Sequence, residues 1–386
     1  MPPTQILLSA GEASGDMYAA RLATELKKHT DVEIFGMGGA QMRAAGVDVI
    51  TDYSEVSVLG ITEIVSHLPQ LRRAMRNLVS QARARKPALA ILTDFPGFHL
   101  RLARKLKPLG VKNIYYICPQ FWAWRPWRAN LVRRRFALAL CIFPFEEKFF
   151  SDAGVPVKFI GHPLVGEVRA TRTRAEFAAK HGFDPAKATI TILPGSRWGE
   201  IARHLPTLLD SARELERQKP GNHNFILALA ADMDLNRVKE LIPQTVRLIL
   251  VQGDTYNALA AADAAVICSG TATVEAALLD VPMVVVYRVS KLTALLAKPL
   301  IRTKYFGMVN LIAEREVAPE LIQDNFQSEK IAREIQQLLE PARSAKAHAD
   351  LAEVRRRLGP PGAVERAAEA ILALLAGEAK GSGNAS

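Results

Sequence analysis

The stretch QILLSAGEASGD, residues 5–16, joins a short apolar run to a glycine turn and the start of a helical pattern. The run predicts a buried strand over residues 5–9, and the pattern after it predicts a helix over residues 16–28. Gly11 and Gly15 let the backbone turn tightly and approach a ligand where that helix begins. Strand, glycine turn and helix in this order are typical of a parallel α/β sheet.

The same alternation continues along most of the chain. Further strands are predicted over residues 33–35, 89–93, 113–117, 138–143, 157–160, 189–193, 224–229, 246–251, 264–268 and 283–287. Helices are predicted over residues 61–85, 100–109, 146–153, 202–218, 255–261, 272–279, 328–339, 342–358 and 363–376. Many of the strands are continuous Ile, Val, Leu and Ala runs, as expected when both faces of a parallel sheet are buried.

The alternation breaks once, at residues 161–174 (GHPLVGEVRATRTR), which we interpret as an interdomain linker. We therefore expect an α/β fold of two Rossmann-like, doubly wound domains facing across a cleft, over residues 1–165 and 166–340. Helices over residues 341–376 are expected to pack back on an N-terminal domain, of this chain or of a partner chain. Residues 377–386 are expected to form a flexible tail.

Composition narrows the class of protein. The 386 residues predict two to three domains at about 150 residues each. The apolar runs are too short for a membrane-spanning helix, and the N-terminus lacks the pattern of a signal peptide. The three cysteines are widely spaced, which predicts neither disulfides nor a cysteine metal site and favours the cytoplasm. The net charge is +11, of which +9 lies in the first 165 residues, so we expect a polyanionic partner there.

The segment TDFPGFH, residues 93–99, follows an apolar strand. An aspartate at the carboxyl end of a parallel strand points into the crevice where doubly wound folds bind ligands, so Asp94 is the leading candidate for a general base. Glu12 and Asp16 are the alternatives; Ser14 or Asp16 would otherwise only cap a helix. His99 opens a helix and is expected to be a cap or a surface group.

An aromatic and basic segment, FWAWRPWR, occupies residues 121–128. Interleaved tryptophan and arginine residues are typical of surfaces that stack bases or line a lipid or sugar groove. Core packing with a proline at a helix start explains the same pattern. The residues alone leave both interpretations open.

Two strand ends in the second half carry groups suited to a nucleotide diphosphate. One strand runs into PGSR, and the arginine, Arg197, is placed to grip a phosphate. The other runs through a glycine turn into a helix, and the predicted diphosphate cradle there comprises Ser269, Gly270, Thr271, Ala272 and Thr273. Glu275 lies one turn further on, where a carboxylate would hold ribose hydroxyls.

Other motifs are absent or weak. Asp232 and Asp234 form a D-x-D pair, which is too common to indicate a metal site. The sequence has no P-loop, no H-E-x-x-H helix and no G-x-S-x-G elbow. We therefore expect no metal and no cofactor.

Taken together, the motifs resemble those of bacterial lipid-A-disaccharide synthases, inverting glycosyltransferases of the two-Rossmann-domain (GT-B) type. In chain order they are AGEASGD (10–16), SVLGITE (57–63), DFPGF (94–98), PQFWAWR (119–125), PFE (144–146), GHPL (161–164), LPGSR (193–197), SGTATVE (269–275) and VNLIAEREVAPELIQ (309–323). Two positions depart from the family pattern. Cys118 stands where a serine is expected, and His99 where an asparagine is common.

The resemblance implies a reaction and roles for residues. UDP-2,3-diacylglucosamine would donate its sugar to 2,3-diacylglucosamine 1-phosphate, giving UDP and a β-1,6-linked disaccharide 1-phosphate with inversion. Asp94 would be the base, with Glu12 and Asp16 as further candidates, and Arg197 would stabilise the departing UDP. Asn310 and Gln323 match family positions on the nucleotide side.

The lipid substrates further imply a peripheral enzyme on the cytoplasmic face of an anionic inner membrane of a Gram-negative-type bacterium. The predicted membrane stripe comprises Ile61, Ile64, Val65, Leu68 and Leu71, followed by Arg72, Arg73 and Arg76. Packing of this stripe on the sheet is the competing interpretation, and Pro69 should kink or split the helix. A homodimer is a further expectation.

Two alternative functions remain at this point. A UDP-sugar 2-epimerase would use the same fold and the same UDP cradle but need no membrane surface. A basic nucleic-acid-binding protein would explain the charge and the Trp/Arg segment, and it would show salt-dependent binding without UDP affinity.

Overall fold

The apolar strands pair in parallel to form two separate sheets in the computed structural model, which describes residues 3–56, 68–290 and 303–381. The chain divides into two compact units. The first unit comprises the described residues of Met1–Pro163 and Pro360–Ser386, and the second comprises those of Leu164–Gly359. The chain therefore passes from the first unit to the second and back again.

The first unit contains a seven-stranded sheet in the order β3-β2-β1-β4-β5-β6-β7. Its strands are β1 (Thr4–Ala10), β2 (Val32–Gly38), β3 (Asp48–Asp52), β4 (Leu89–Thr93), β5 (Lys112–Tyr116), β6 (Leu138–Cys141) and β7 (Val157–Phe159). Its helices are α1 (Ala13–His29), α2 (Ala40–Ala44), α3 (Leu68–Arg85), α4 (Pro96–Leu106), α5 (Phe121–Trp124), α6 (Ala129–Arg135), α7 (Pro144–Asp152) and, from the end of the chain, α16 (Ala363–Gly381). The strand order reverses between β1 and β4, which opens a crevice at their carboxyl ends.

The second unit repeats this arrangement with six parallel strands in the order β10-β9-β8-β11-β12-β13. They are β8 (Ala188–Leu193), β9 (His223–Leu229), β10 (Ile249–Gln252), β11 (Ala264–Cys268), β12 (Met283–Tyr287) and β13 (Glu320–Ile322). The helices are α8 (Arg174–His181), α9 (Trp198–Gln218), α10 (Leu235–Lys239), α11 (Thr255–Ala260), α12 (Ala272–Leu278), α13 (Met308–Ala313), α14 (Ser328–Leu338) and α15 (Pro341–Arg357). The reversal lies between β8 and β11.

Each sheet is covered on both faces, as its apolar strands require. In the first unit, β1 and β4 are buried along almost their whole length, and α3 packs through Ala74, Leu78 and Ala82. A separate core of the second unit forms where α9 and α14 lie against β8, β9 and β12. No helix within the described ranges is long and apolar enough to cross a membrane.

The C-terminal helices differ from the expectation in two ways. They do not act as one group, because α15 contacts α12 and α13 of the second unit whereas α16 packs on α1 of the first. Arg366 on α16 also donates from Nε to the carbonyl of Ile160, at 2.8 Å, within the same chain. In addition, α16 continues to Gly381, where a flexible tail was expected from residue 377, since alanine, glutamate and lysine are good helix formers.

Candidate functional site

Asp94 lies directly after β4, at the point where the strand order of the first sheet reverses. Its Oδ1 accepts a hydrogen bond from the backbone N–H of Gly11, the residue that follows β1, at 2.8 Å. This hydrogen bond joins the loop that follows β1 (residues 10–16) to the loop that follows β4 (residues 93–99).

The backbone at Asp94 is strained. Asp94 has φ +52° and Phe95 has φ +38°, so two consecutive residues other than glycine adopt the left-handed conformation. Each costs on the order of 1–3 kcal/mol and persists only where the surroundings hold it. The Asp94 carbonyl accepts hydrogen bonds from Tyr115 Oη at 3.2 Å and from His99 Nδ1 at 3.0 Å.

His99 is not the cap or surface group that was expected, because it is fully buried. The first turn of α4 directs its ring inward, where Nε2 lies 2.8 Å from Ser9 Oγ. Because a carbonyl only accepts, Nδ1 carries the proton toward Asp94 and Nε2 accepts from the serine hydroxyl. Burial lowers the pKa of His99 to about 4, so the ring is neutral and acts as a tether between β1 and the Asp94 backbone.

Gly15 provides the space in which the Asp94 carboxylate sits. A Cβ at position 15 would lie 1.6 Å from Asp94 Oδ2 and 2.7 Å from its Cγ. Only glycine therefore fits this position of α1. Oδ2 is buried and has no hydrogen-bond partner among the described residues.

The environment of Asp94 favours the protonated carboxyl. Its pKa is raised from 3.8 to about 8, mainly by burial and also by the charges of Glu12 and Asp16, while the hydrogen bond from the N–H of Gly11 opposes the shift. A carboxyl group with a pKa near the working pH is suited to accept a proton from a substrate hydroxyl.

The two other predicted acids differ sharply in their surroundings. Asp16 is buried, and its carboxylate accepts hydrogen bonds from the N–H groups of Gly39, Gln41 and Met42 at 2.6, 3.0 and 3.3 Å. It therefore ties α1 to the start of α2, which leaves its oxygens little capacity for a substrate. Glu12 is exposed at the start of α1.

The aromatic segment divides into a buried and an exposed part. Trp122 donates from Nε1 to Oε1 of Glu146, at 3.1 Å, and burial raises the pKa of that fully buried glutamate to about 7. Trp124 and Trp127 are each 59% exposed, and Arg125 and Arg128 lie near their rings. The core-packing and the surface interpretation each describe one half of the motif.

The predicted membrane stripe is described only in part, since Ile61, Ile64 and Val65 lie outside the described residues. The remaining members lie on α3. Leu68 and Leu71 are half-buried, and Leu71 packs against the core, whereas Arg72, Arg73 and Arg76 are exposed. Pro69 is the second residue of α3 as described, a position where a missing N–H costs no helical hydrogen bond.

In the second unit, Arg197 directly precedes α9 and its side chain is 79% exposed. The N–H groups of Ser196 and Arg197 point to Oε2 of Glu200, at 3.1 and 3.4 Å. Gly195 has φ +127°, and a Cβ there would lie 2.7 Å from Glu200. Glu200 thus shapes the loop, and Arg197 extends from it.

The start of α12 offers the unsatisfied donors that a diphosphate needs. The N–H groups of Gly270, Thr271 and Ala272 meet no acceptor in the described part of the chain. The hydroxyls are less available, because Ser269 donates to the carbonyl of Phe306 and Thr273 to that of Gly270, both at 2.8 Å. The available donors are therefore the backbone N–H groups together with the exposed side chain of Thr271.

Glu275 lies one turn into α12, half-buried, and burial raises the pKa of its carboxyl group. The described residues offer no side-chain hydrogen bond to it. Its carboxylate remains available to a ligand.

Asn310 and Gln323 both form hydrogen bonds within the second unit. Asn310 is fully buried; its Oδ1 accepts from Val317 and Ala318, and its Nδ2 donates to Ala318 and Glu320, all within 2.9 Å. These four hydrogen bonds occupy the Asn310 amide, so its place on the nucleotide side stays a prediction. Gln323 accepts at Oε1 from the N–H of Val289 at 2.8 Å.

The D-x-D pair also has a structural explanation. Asp234 accepts from the N–H groups of Asn236 and Arg237 and so caps α10. Within the described ranges, no three His, Cys, Asp or Glu residues are grouped so that they could hold a metal ion.

Comparison with known proteins identifies relatives over nearly the whole chain. The sequence model of the lipid-A-disaccharide synthetase family matches residues 6–374. Lipid-A-disaccharide synthase of Koribacter versatilis is 45% identical over 381 residues, covering 96% of this chain and 98% of the relative. The enzyme of the same name from Myxococcus xanthus is 42% identical, covering 97% and 98%.

Solved structures share the fold at low identity. A UDP complex of MnaA from S. aureus has a TM-score of 0.65 at 13% identity, covering 96% of this chain and 97% of its own. A UDP-N-acetylglucosamine 2-epimerase described as putative, from Listeria monocytogenes, has a TM-score of 0.63 at 13% identity, covering 97% and 96%. The calicheamicin glycosyltransferase CalG4 has a TM-score of 0.59 at 15% identity, covering 97% and 99%. These likenesses confirm the fold class of two doubly wound parallel sheets.

Proposed function

This chain belongs to the lipid-A-disaccharide synthetase family, and on that premise we propose that it transfers 2,3-diacylglucosamine from UDP to 2,3-diacylglucosamine 1-phosphate. The products are UDP and the β-1,6-linked disaccharide 1-phosphate of lipid A biosynthesis. The observation that carries the proposal is the family match over residues 6–374. The epimerase alternative rests on solved epimerase structures of 13% identity, which indicate a shared fold.

We assign the proton transfer to Asp94. An α-linked donor that gives a β-linked product requires a single displacement, so a base must accept the proton of the acceptor 6-hydroxyl. Asp94 has the raised pKa and the fixed backbone that this role needs. Glu12, exposed and close enough to influence that pKa, is suited to contact the acceptor, and Asp16 positions the loop.

We assign the departing UDP to the second unit. The free N–H groups at the start of α12 and the guanidinium of Arg197 are suited to stabilise the charge that develops on the diphosphate. Glu275, with no side-chain partner among the described residues, is suited to accept hydrogen bonds from the ribose hydroxyls. Gln323 and Asn310 act indirectly, by fixing the surrounding loops.

Replacing Arg197 tests the nucleotide site. Arg197→Ala should weaken UDP binding by about 1.5–3 kcal/mol, because a charge-assisted contact is lost. Isothermal titration calorimetry with UDP measures this, and Arg213→Ala, within the helix α9 that Arg197 precedes, is the matched control. Glu275→Ala should weaken UDP binding too, and should reduce discrimination against 2′-deoxy-UDP. Unchanged UDP affinity of Arg197→Ala would contradict the assignment.

The enzyme is also proposed to act at the cytoplasmic face of an anionic inner membrane, where its lipid substrates reside. The basic first unit, the cationic residues of α3 and the exposed Trp124 and Trp127 support this proposal. A homodimer stays a prediction; packing of α16 on α1 within one chain needs no exchange of helices.

Vesicle flotation tests the membrane contact. Replacing Ile64, Val65 and Leu68 together by serine should release the protein from anionic vesicles while its circular dichroism spectrum stays unchanged, because the apolar side of the contact is lost. Serine at Val79, Leu109 and Leu131, which pack against the core, is the contrasting variant and should unfold the protein. A folded triple variant that still floats would rule out the stripe, and one that unfolds would assign the stripe to the core.

The reaction itself is tested with UDP-2,3-diacylglucosamine and the acceptor lipid in neutral detergent micelles. We expect release of UDP together with the disaccharide, and we expect turnover to survive EDTA. Conversion of the UDP-sugar to its 2-epimer without acceptor would instead favour the epimerase.

A further inference from the structure

A groove of about 1040 Å³ lies between α3 and α4 of the first unit. That volume is at the upper end of the range of small-molecule sites. Its apolar wall is formed by Leu68, Leu71, Met75, Phe95 and Phe98. The groove is thus suited to hold hydrocarbon.

The rest of the groove is cationic. Arg72 and Arg76 come from α3, and Arg101 and Lys105 come from α4. No acidic residue is among the described residues that line it, and none of these four side chains forms an ion pair with a described residue. The groove therefore presents four positive charges that have no ion-pair partner among the described residues.

The spacing of these charges is itself unfavourable. Arg72 and Arg76 are four residues apart on one helix, and Arg101 and Lys105 are four apart on the other. Like charges at this spacing destabilise a helix by a few tenths of a kcal/mol per pair. Two such pairs that line one groove indicate an anionic ligand that offsets the repulsion.

The groove begins beside the proposed base. Phe95 directly follows Asp94, and its ring stacks on Phe98 at a centroid distance of 5.3 Å. A ligand on this apolar wall therefore contacts the residue that directly follows the proposed base.

We propose that the α3–α4 groove is the binding site of the acceptor lipid, with an acyl chain on its apolar wall and the 1-phosphate on Arg72, Arg76, Arg101 and Lys105. The inference rests on the proposed function and adds the residues that select a phosphorylated acceptor. The donor has its phosphates in the UDP moiety, for which the second unit carries separate groups. The anion required here is thus the phosphate of the acceptor.

The test replaces the two cations of α4, as Arg101→Gln with Lys105→Gln. Binding of labelled acceptor and initial rates are measured in neutral detergent micelles, with the acceptor carrying either a 1-phosphate or a 1-hydroxyl group. We expect Kd and KM for the phosphorylated acceptor to rise about 10- to 100-fold, since two charge-assisted contacts are lost. KM for UDP-2,3-diacylglucosamine and affinity for the 1-hydroxyl acceptor should be unchanged.

Arg104→Gln is the matched control, because Arg104 lies on the same helix but does not line the groove. Equal weakening of both acceptors, or no weakening of either, would overturn the proposal. Loss of flotation of the α4 variant on anionic vesicles, with intact phosphate selection in micelles, would overturn it too, and would assign Arg101 and Lys105 to the bilayer. Because acceptor binding is measured directly, a wild-type protein that binds the phosphorylated acceptor without forming disaccharide would contradict the proposed reaction and not the groove.

Discussion

Asp94→Asn is expected to reduce turnover by at least about 10²-fold while UDP affinity stays near that of the wild type. The amide keeps the size of the carboxyl group and its acceptor toward the N–H of Gly11, at 2.8 Å in the wild type, but it cannot take up a proton. Initial rates of disaccharide formation and UDP titration calorimetry measure the two effects separately.

The raised pKa of Asp94 also predicts an effect on stability. The Asp94→Asn substitution, which lowers turnover, should raise the free energy of unfolding. In the folded protein the pKa is raised from 3.8 to about 8, because burial disfavours the charged form. Below about pH 4 the group is protonated in both states and costs nothing; the cost of ionising it grows with pH and is complete above about pH 8. At pH 8.5, the free energy of unfolding of Asp94→Asn should therefore exceed that of the wild type by on the order of 1–3 kcal/mol. Activity of the wild type should rise with pH over the range approaching 8.

Asp52→Asn is the matched control, since Asp52 ends β3 of the same sheet. Burial acts to raise its pKa, but hydrogen bonds from Ser54 and Arg43 outweigh this and lower it. This variant should lose stability above pH 4 and retain turnover. If Asp94→Asn is as active as the wild type, the role of base passes to Glu12.

Gly15→Ala is expected to reduce turnover by about 10- to 100-fold, because the new methyl group occupies the position of the Asp94 carboxylate. The ideal Cβ would lie 1.6 Å from Oδ2, so either the carboxylate or α1 must move. Alanine usually stabilises a helix relative to glycine, so a loss at this position indicates the steric conflict. Steady-state kinetics and thermal unfolding followed by circular dichroism provide the measurements.

Two comparisons sharpen this experiment. Gly377→Ala, in α16, adds a methyl group to open space and should leave turnover unchanged. The double variant Gly15→Ala with Asp94→Asn should be no slower than Asp94→Asn alone, because both changes remove the same function. Additive losses would mean that Gly15 matters for a reason other than Asp94.

The central strands could be predicted from sequence because they are continuous apolar runs. Leu89–Thr93, Ala264–Cys268 and Met283–Tyr287 begin and end where predicted. Asp48–Asp52 and Glu320–Ile322 were missed, and both lie at sheet edges. An edge strand is short and partly exposed, so its sequence lacks the apolar run that marks a buried strand.

The location of the site was predictable, but the groups that hold it were not. Strand ends placed Asp94, Arg197 and the start of α12, because parallel strands bring their carboxyl ends to one edge. No local signal marks His99 as buried, since its partners Ser9 and the Asp94 carbonyl belong to separate strand ends. The family resemblance predicted which part of the chain contains Asn310. It could not show that the Asn310 amide forms all its hydrogen bonds with other residues of the protein.

The shared location of the four positively charged residues of the α3–α4 groove could not be predicted from the sequence either. Arg72 with Arg76 and Arg101 with Lys105 are visible as spaced pairs in the sequence, and the first pair was assigned to a membrane. Only the pairing of α3 with α4 reveals that both pairs line one groove.

The return of the chain to its first unit has a consequence for biosynthesis. The helix α16 packs on α1, yet the ribosome makes it only after the whole of the second unit, Leu164–Gly359. That second unit is one uninterrupted segment, so it is free to fold as soon as it emerges. The first unit is translated earlier, but its fold is complete only when α16 packs on α1. The part of the protein translated first is therefore the part that matures last, and nascent chains stalled before residue 363 should carry a folded second unit beside an incomplete first one.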